Sequence, residues 1–132
     1  MTSLALTLQQ GVEKLNLRLP PGTEARLLDY LALLQKWNRI YNLTAIRETP
    51  RLVSHHLLDS LAVVPHLVGS TILDVGTGPG LPGIPIALAR PDSRVTMLDG
   101  NHKKVSFVTE AIGELSIQNA EVRRERVEQW RP

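Results

Sequence analysis

Thr71-Ile72-Leu73-Asp74-Val75-Gly76-Thr77-Gly78-Pro79-Gly80-Leu81-Pro82-Gly83 decides the fold of this chain. Its first five residues are an apolar run that ends in glycine, the pattern of a short buried strand. Gly76, Gly78 and Gly80 follow at two-residue spacing, and Pro82 to Arg90, rich in Ile, Ala and Leu, reads as a helix. After the turn at Pro91-Asp92-Ser93, Arg94 to Asp99 forms a second strand. Lys103 to Leu115 is a helix with Val105, Val108, Ile112 and Leu115 on one face, and Ala120 to Arg124 is a weaker third strand. Such βαβαβ alternation implies a parallel sheet with right-handed crossovers.

A glycine-rich turn between strand and helix lets the backbone approach a bound nucleoside where a Cβ would collide. Asp99 ends the second strand nineteen residues after Gly80, where a carboxylate can accept from both hydroxyls of a ribose. Together these features specify an adenosine-containing ligand. Gly78-Pro79-Gly80-Leu81-Pro82-Gly83 also satisfies the G-x-G-x-x-G fingerprint, so a nicotinamide or flavin dinucleotide is a rival. The prolines weigh against it. A pyrophosphate needs helix N-terminal amides, and Pro79, Pro82 and Pro85 have none to offer. Asp74 would repel a pyrophosphate but favour a sulfonium and an ammonium group. The balance favours S-adenosyl-L-methionine, with the dinucleotide left open.

The first part of the chain is different in texture. Leu4, Leu8, Val12 and Leu15 recur at helical spacing from about Ser3 to Leu17, until Pro20-Pro21-Gly22 interrupts. Leu27, Leu31, Leu34 and Trp37, with Tyr30 and Tyr41 beside them, draw a wide apolar stripe from Glu24 to Tyr41. Trp37 and Tyr41 are read as packing residues rather than a platform for a base. Thr49-Pro50 reads as an N-cap with proline at the first helical position, opening a helix through His55 and His56. A separate short helix is expected from Asp59 to Val64, stopped by Pro65. Residues 1–68 are therefore expected as a helical segment and 69–132 as the α/β part.

Composition bounds the alternatives. The chain has 132 residues, 42% hydrophobic and 21% charged, near globular averages. It has no cysteine, which removes disulfides, thiolate zinc sites and cysteine nucleophiles. No apolar run is long enough to span a membrane and the start lacks a signal-peptide pattern. Net charge is only +2, yet Lys103, Lys104, Arg123, Arg124 and Arg126 all fall late in the chain. On charge alone these are solvated faces; as a group they are the candidates for RNA phosphate contacts. His56 and Asp59, three apart on one helix face, read first as a structural hydrogen bond. His55, His56, His66 and His102 show no metal-site spacing, so no metal is expected.

Several separated blocks carry a resemblance to a known family. Lys36-Trp37-Asn38, Tyr41-Asn42-Leu43-Thr44, His56-Leu57-Leu58-Asp59-Ser60, the loop from Asp74 to Gly83, Leu98-Asp99, Lys103-Lys104-Val105 with Phe107, and Arg126-Val127-Glu128 are its motifs. From about Leu31 to Trp130 the chain resembles the ribosomal small subunit methyltransferase G family, also called glucose-inhibited division protein B.

The resemblance implies a Rossmann-like class I S-adenosylmethionine-dependent methyltransferase fold with an N-terminal helical segment. It implies methyl transfer to N7 of a guanine in 16S ribosomal RNA, with the small ribosomal subunit as partner, in the cytoplasm, by a monomer. Family ligand contacts fall on Gly76, Leu81, Val127 and Glu128, joining Asp74, Gly78, Gly80 and Asp99. His56 joins the RNA candidates. No catalytic residue is nominated, because guanine N7 carries a free lone pair and needs no base. Gly100 stands where the family has serine, and His55 where arginine is common. The family pattern continues beyond residue 132 through an I-S-R-A-F block, so the chain is expected to be C-terminally truncated. In the family strand order 3-2-1-4-5-7-6 it would carry an incomplete sheet, 3-2-1, with the first strand as an exposed edge. A dinucleotide-dependent oxidoreductase and a non-catalytic binding fragment remain the alternatives.

Overall fold

The structure, a computed structural model, describes residues 3–45 and 49–129. The capping side chain of Thr49 and the end of the family match at Trp130 lie outside the described residues. Helix α1 (Leu4–Lys14) is capped by the Ser3 hydroxyl, which accepts from the Leu6 amide. Gly22, at φ 85°, turns the chain into α2 (Thr23–Tyr41), and Asn42 ends that helix in the left-handed region.

Next comes one continuous helical run: α3 (Thr49–Leu52), a wide π turn (Val53–Leu58), α4 (Asp59–Ala62) and a 3-10 turn (Val64–His66). The two separate helices expected here are not separate. Leu58 and Asp59 keep right-handed helical dihedrals, and no glycine or proline stands between Arg51 and Val64 to break the chain. Pro65 does not stop the run either. It sits in the first positions of the 3-10 turn, where its missing N–H is not needed.

The α/β part follows as β1 (Thr71–Val75), α5 (Gly83–Ala89), β2 (Arg94–Leu98), α6 (His102–Glu114), β3 (Ala120–Arg123) and a short turn (Val127–Gln129). All three strands are parallel, in the order β1-β2-β3. Register places Ile72, Val95 and Ala120 in one row and Asp74, Met97 and Val122 in the next. That face carries the buried Val95 and Met97 and lies under α5 and α6. Helices α2 and α4 pack on α5, and α2 also packs on α6, so helices form two layers on one side of the sheet. A single core joins Leu8 of α1, Leu34 of α2 and Leu61 of α4 to Ile84, Met97 and Phe107.

Leu73, Thr96 and Glu121 share the opposite face with Val75, Leu98 and Arg123. There Leu73 is 40% and Val75 49% exposed, as befits a strand that forms the edge of the sheet. Among the described residues no helix is long and apolar enough to cross a membrane.

Candidate cofactor site

Parallel strands deliver their carboxyl ends to one edge of the sheet, where ligands of open α/β sheets bind. Val75, Leu98 and Arg123 are register neighbours there. The glycine loop, the Asp99-Gly100 turn and the segment from Arg124 to Gln129 therefore converge on a single crevice.

The loop is built from backbone closure. Gly76, Gly78 and Gly80 have φ of 70°, 60° and 96°, a region costly for any residue with a Cβ. This curl lets the amides of Gly76 and Thr77 both donate to the Leu98 carbonyl. The amides of Gly80 and Leu81 donate to the Thr77 carbonyl, and that of Ile84 to Gly80 at 2.7 Å. Gly78 donates to Asp99 Oδ2 at 2.9 Å and Gly83 to Asp74 Oδ2 at 3.0 Å. Pro79, Pro82 and Pro85 have no amide. From Gly76 to Pro85, every backbone N–H is either committed inside the protein or absent.

Two acids hold this geometry. Asp74 Oδ2 also accepts from the hydroxyl of the buried Thr77, so one carboxylate oxygen ties the loop to the first residue of α5. Burial raises the Asp74 pKa above the ordinary 3.8; the bonds from Thr77 and Gly83 oppose the rise and the Asp99 charge adds to it. The folded state thus binds this proton more tightly than the unfolded chain. The resulting stabilisation is fully present below the unfolded value and is lost as pH rises through the folded one. Asp74→Asn removes the titration, so wild type should gain stability relative to Asp74→Asn as pH falls from neutral towards 3.8. Urea midpoints of both proteins across that range test this; a gap that does not change with pH would disprove the burial effect.

Asp99 is half-buried, with Oδ2 on the Gly78 amide and Oδ1 on the Asn101 amide at 2.8 Å. Each oxygen keeps a second lone pair for an outside donor. Space is available too: a Cβ built on Gly76 or Gly78 would meet nothing within 4 Å. Leu81 is half-buried in the turn that leads into α5. Glu128 is exposed in the turn after β3; Val127 precedes it, and its side chain lies outside the described residues.

Of the basic candidates, Lys103 and Lys104 form the first turn of α6, capped by Asn101 through the Lys104 amide. Arg124 Nε donates to the Gly100 carbonyl, and Arg124 and Arg126 line a polar cleft of about 230 Å³ with Gly100. These four gather around the Asp99 turn. Arg123 does not join them; it pairs with Glu121 at 3.5 Å on the exposed sheet face. His56 bonds through Nε2 to the Thr44 hydroxyl at 2.8 Å, not to Asp59 as its helical spacing suggested. Its pKa is lowered, chiefly by burial.

One contributor escaped sequence reading. Tyr30, fully buried in α2, donates its hydroxyl to the Pro79 carbonyl at 2.7 Å. Burial and the Asp74 charge push its pKa well above the ordinary phenol range, so it remains a donor. In the sequence Tyr30 is one more member of an apolar stripe, and nothing local marks a partner forty-nine residues away.

The model of the rRNA small subunit methyltransferase G family matches residues 23–132, which contain the whole crevice. The chain belongs to that family. Ribosomal RNA small subunit methyltransferase G of Nitrosospira multiformis is 54% identical over 94% of this chain and 57% of its own length. The protein of the same name from Chromobacterium violaceum is 53% identical over 100% of this chain and 64% of its own. That from Laribacter hongkongensis is 52% identical over 95% and 60%. The chain spans about three fifths of the length of these curated relatives.

Proposed function

We infer that the chain carries the cofactor site of an S-adenosylmethionine-dependent methyltransferase acting on N7 of a guanine in 16S ribosomal RNA. The observation that carries this reading is the commitment of the loop amides. A dinucleotide's pyrophosphate would need several of them, and each already has a partner inside the protein or is a proline. An adenosine without phosphate needs only open backbone and ribose acceptors. Gly76 and Gly78 offer the first and Asp99 the second.

In this reading Gly76, Gly78, Gly80 and Leu81 shape the floor, Asp99 holds the ribose, and Val127 and Glu128 are the contacts that the family resemblance adds after β3. Asp74 adds negative charge beneath a cationic ligand. S-adenosylmethionine, when bound, supplies the methyl group. The protein's task is then to aim the guanine and exclude competing geometry, since N7 presents its lone pair without losing a proton. Lys103, Lys104, Arg124 and Arg126 would take RNA phosphates, with Arg123 and His56 as outlying candidates. With ribosomal RNA as its substrate, the protein would act in the cytoplasm.

Calorimetric titration of the protein separates the readings. Binding of S-adenosylhomocysteine without binding of NAD is the expected result. NAD binding alone would replace this reading with an oxidoreductase, and binding of neither would reduce the chain to a non-catalytic fragment.

A further inference from the structure

The end of α2 carries exposed apolar surface beside the crevice. Ile40 is 72% and Tyr41 39% exposed, whereas Leu27, Tyr30, Leu31 and Leu34 earlier in the helix are buried. The Tyr41 ring leans on Trp37 at 5.4 Å between centroids, and Trp37 meets Phe107 of α6 edge-on at 5.6 Å. Trp37 and Phe107 anchor the ring from below. Lys103 Nζ lies 5.6 Å from the Tyr41 centroid, a cation over an aromatic face. Lys103 is in the first turn of α6, directly after the Asp99-Gly100-Asn101 turn that faces the crevice. An exposed aromatic ring therefore meets a cation that follows Asp99 by only four residues.

We propose that Tyr41, with Lys103, is a stacking platform for an unpaired RNA base at the mouth of the methyl-donor crevice. This rests on the RNA methyltransferase reading above. In A-form RNA the major groove is deep and narrow, and guanine N7 lies in it. Chemistry at N7 therefore calls for a guanine outside a regular helix, and a base drawn out of its stack needs a new surface to lie on. Tyrosine supplies one that tolerates any base. The base takes the place of the Lys103 ammonium over the ring, and the freed ammonium reaches the adjoining phosphate. The His56–Thr44 bond supports the same corner, since Thr44 follows directly from the end of α2 and its amide is held by Asn38 Oδ1.

The test uses a short fluorescently labelled single-stranded RNA containing one guanine, titrated by anisotropy at several salt concentrations. Tyr41→Ala should weaken binding about five- to a hundredfold with an unchanged salt slope. Tyr41→Trp should restore it, because it keeps the stacking face. Lys103→Ala should reduce the salt slope by about one. Affinity for S-adenosylhomocysteine should be the same in all three variants. The platform is overturned if Tyr41→Ala binds RNA as wild type does, or if Tyr41→Trp is as weak as Tyr41→Ala. Wild type that binds S-adenosylhomocysteine but shows no salt-dependent RNA binding would instead overturn the RNA reading beneath it.

Discussion

Replacing Asp99 with alanine is expected to weaken S-adenosylhomocysteine binding about ten- to a hundredfold, the range for losing hydrogen bonds to a charged group. The loss has two sources. The ribose hydroxyls lose their acceptor, and the amides of Gly78 and Asn101 lose theirs, which loosens both walls of the crevice. Asn is not an innocent substitute. Each carboxylate oxygen already accepts from a backbone N–H, so an asparagine must turn its NH₂ towards one of them. Asp99→Asn should therefore lose affinity as well. Asp59→Ala, at an exposed position on α4, is the comparison and should have a much smaller effect. Calorimetry of the three variants against wild type decides it. Equal losses for Asp59→Ala and Asp99→Ala would remove Asp99 from the ribose role.

Gly83→Ala is expected to destabilise the fold by about 1–3 kcal/mol, as overpacking of a filled core does. An added Cβ would lie 2.5 Å from both Cγ and Sδ of Met97 and 2.9 Å from Asp74 Oδ2. Met97 is fully buried between the sheet and α5, so it has little room to yield. The Asp74 carboxylate would move off the Gly83 amide, and with it the clasp between β1 and α5. Gly113→Ala in α6 is the opposite case. Nothing lies within 4 Å of its Cβ position, so helix propensity alone acts and should stabilise by about 0.5–1 kcal/mol. Urea denaturation of both variants gives the sign directly. A Gly83→Ala protein as stable as wild type would show that α5 does not pack on Met97 as described.

The α/β half was readable because its signals are local. A strand that ends in Gly-x-Gly-x-Gly, a helix of Ile and Ala, and an acid closing the next strand each lie within one element and its turn. That the strands run parallel follows from their alternation; their order β1-β2-β3 is the one the family resemblance implied. The helical segment was read less well between Thr49 and His66, where Pro65 suggested a stop. A proline tolerated at the start of a 3-10 turn and one that ends a helix look alike in sequence, and only the backbone path tells them apart.

Sequence by itself determined the form of the loop: its three glycines, its amide-free prolines and the acids Asp74 and Asp99 are read from residue chemistry alone. Only the tertiary structure decided how that loop is held. The Leu98 carbonyl receives two loop amides, Asp99 a third, and Tyr30 reaches from the helical segment to the Pro79 carbonyl. It also decided which basic residues gather at the crevice, leaving Arg123 on the sheet face, and it brought Tyr41 out of the core beside Lys103. The physical reason is the same throughout. Dihedral preference and missing donors belong to single residues, whereas a hydrogen bond's partner and a ring's exposure depend on segments that meet only when the chain has closed on itself.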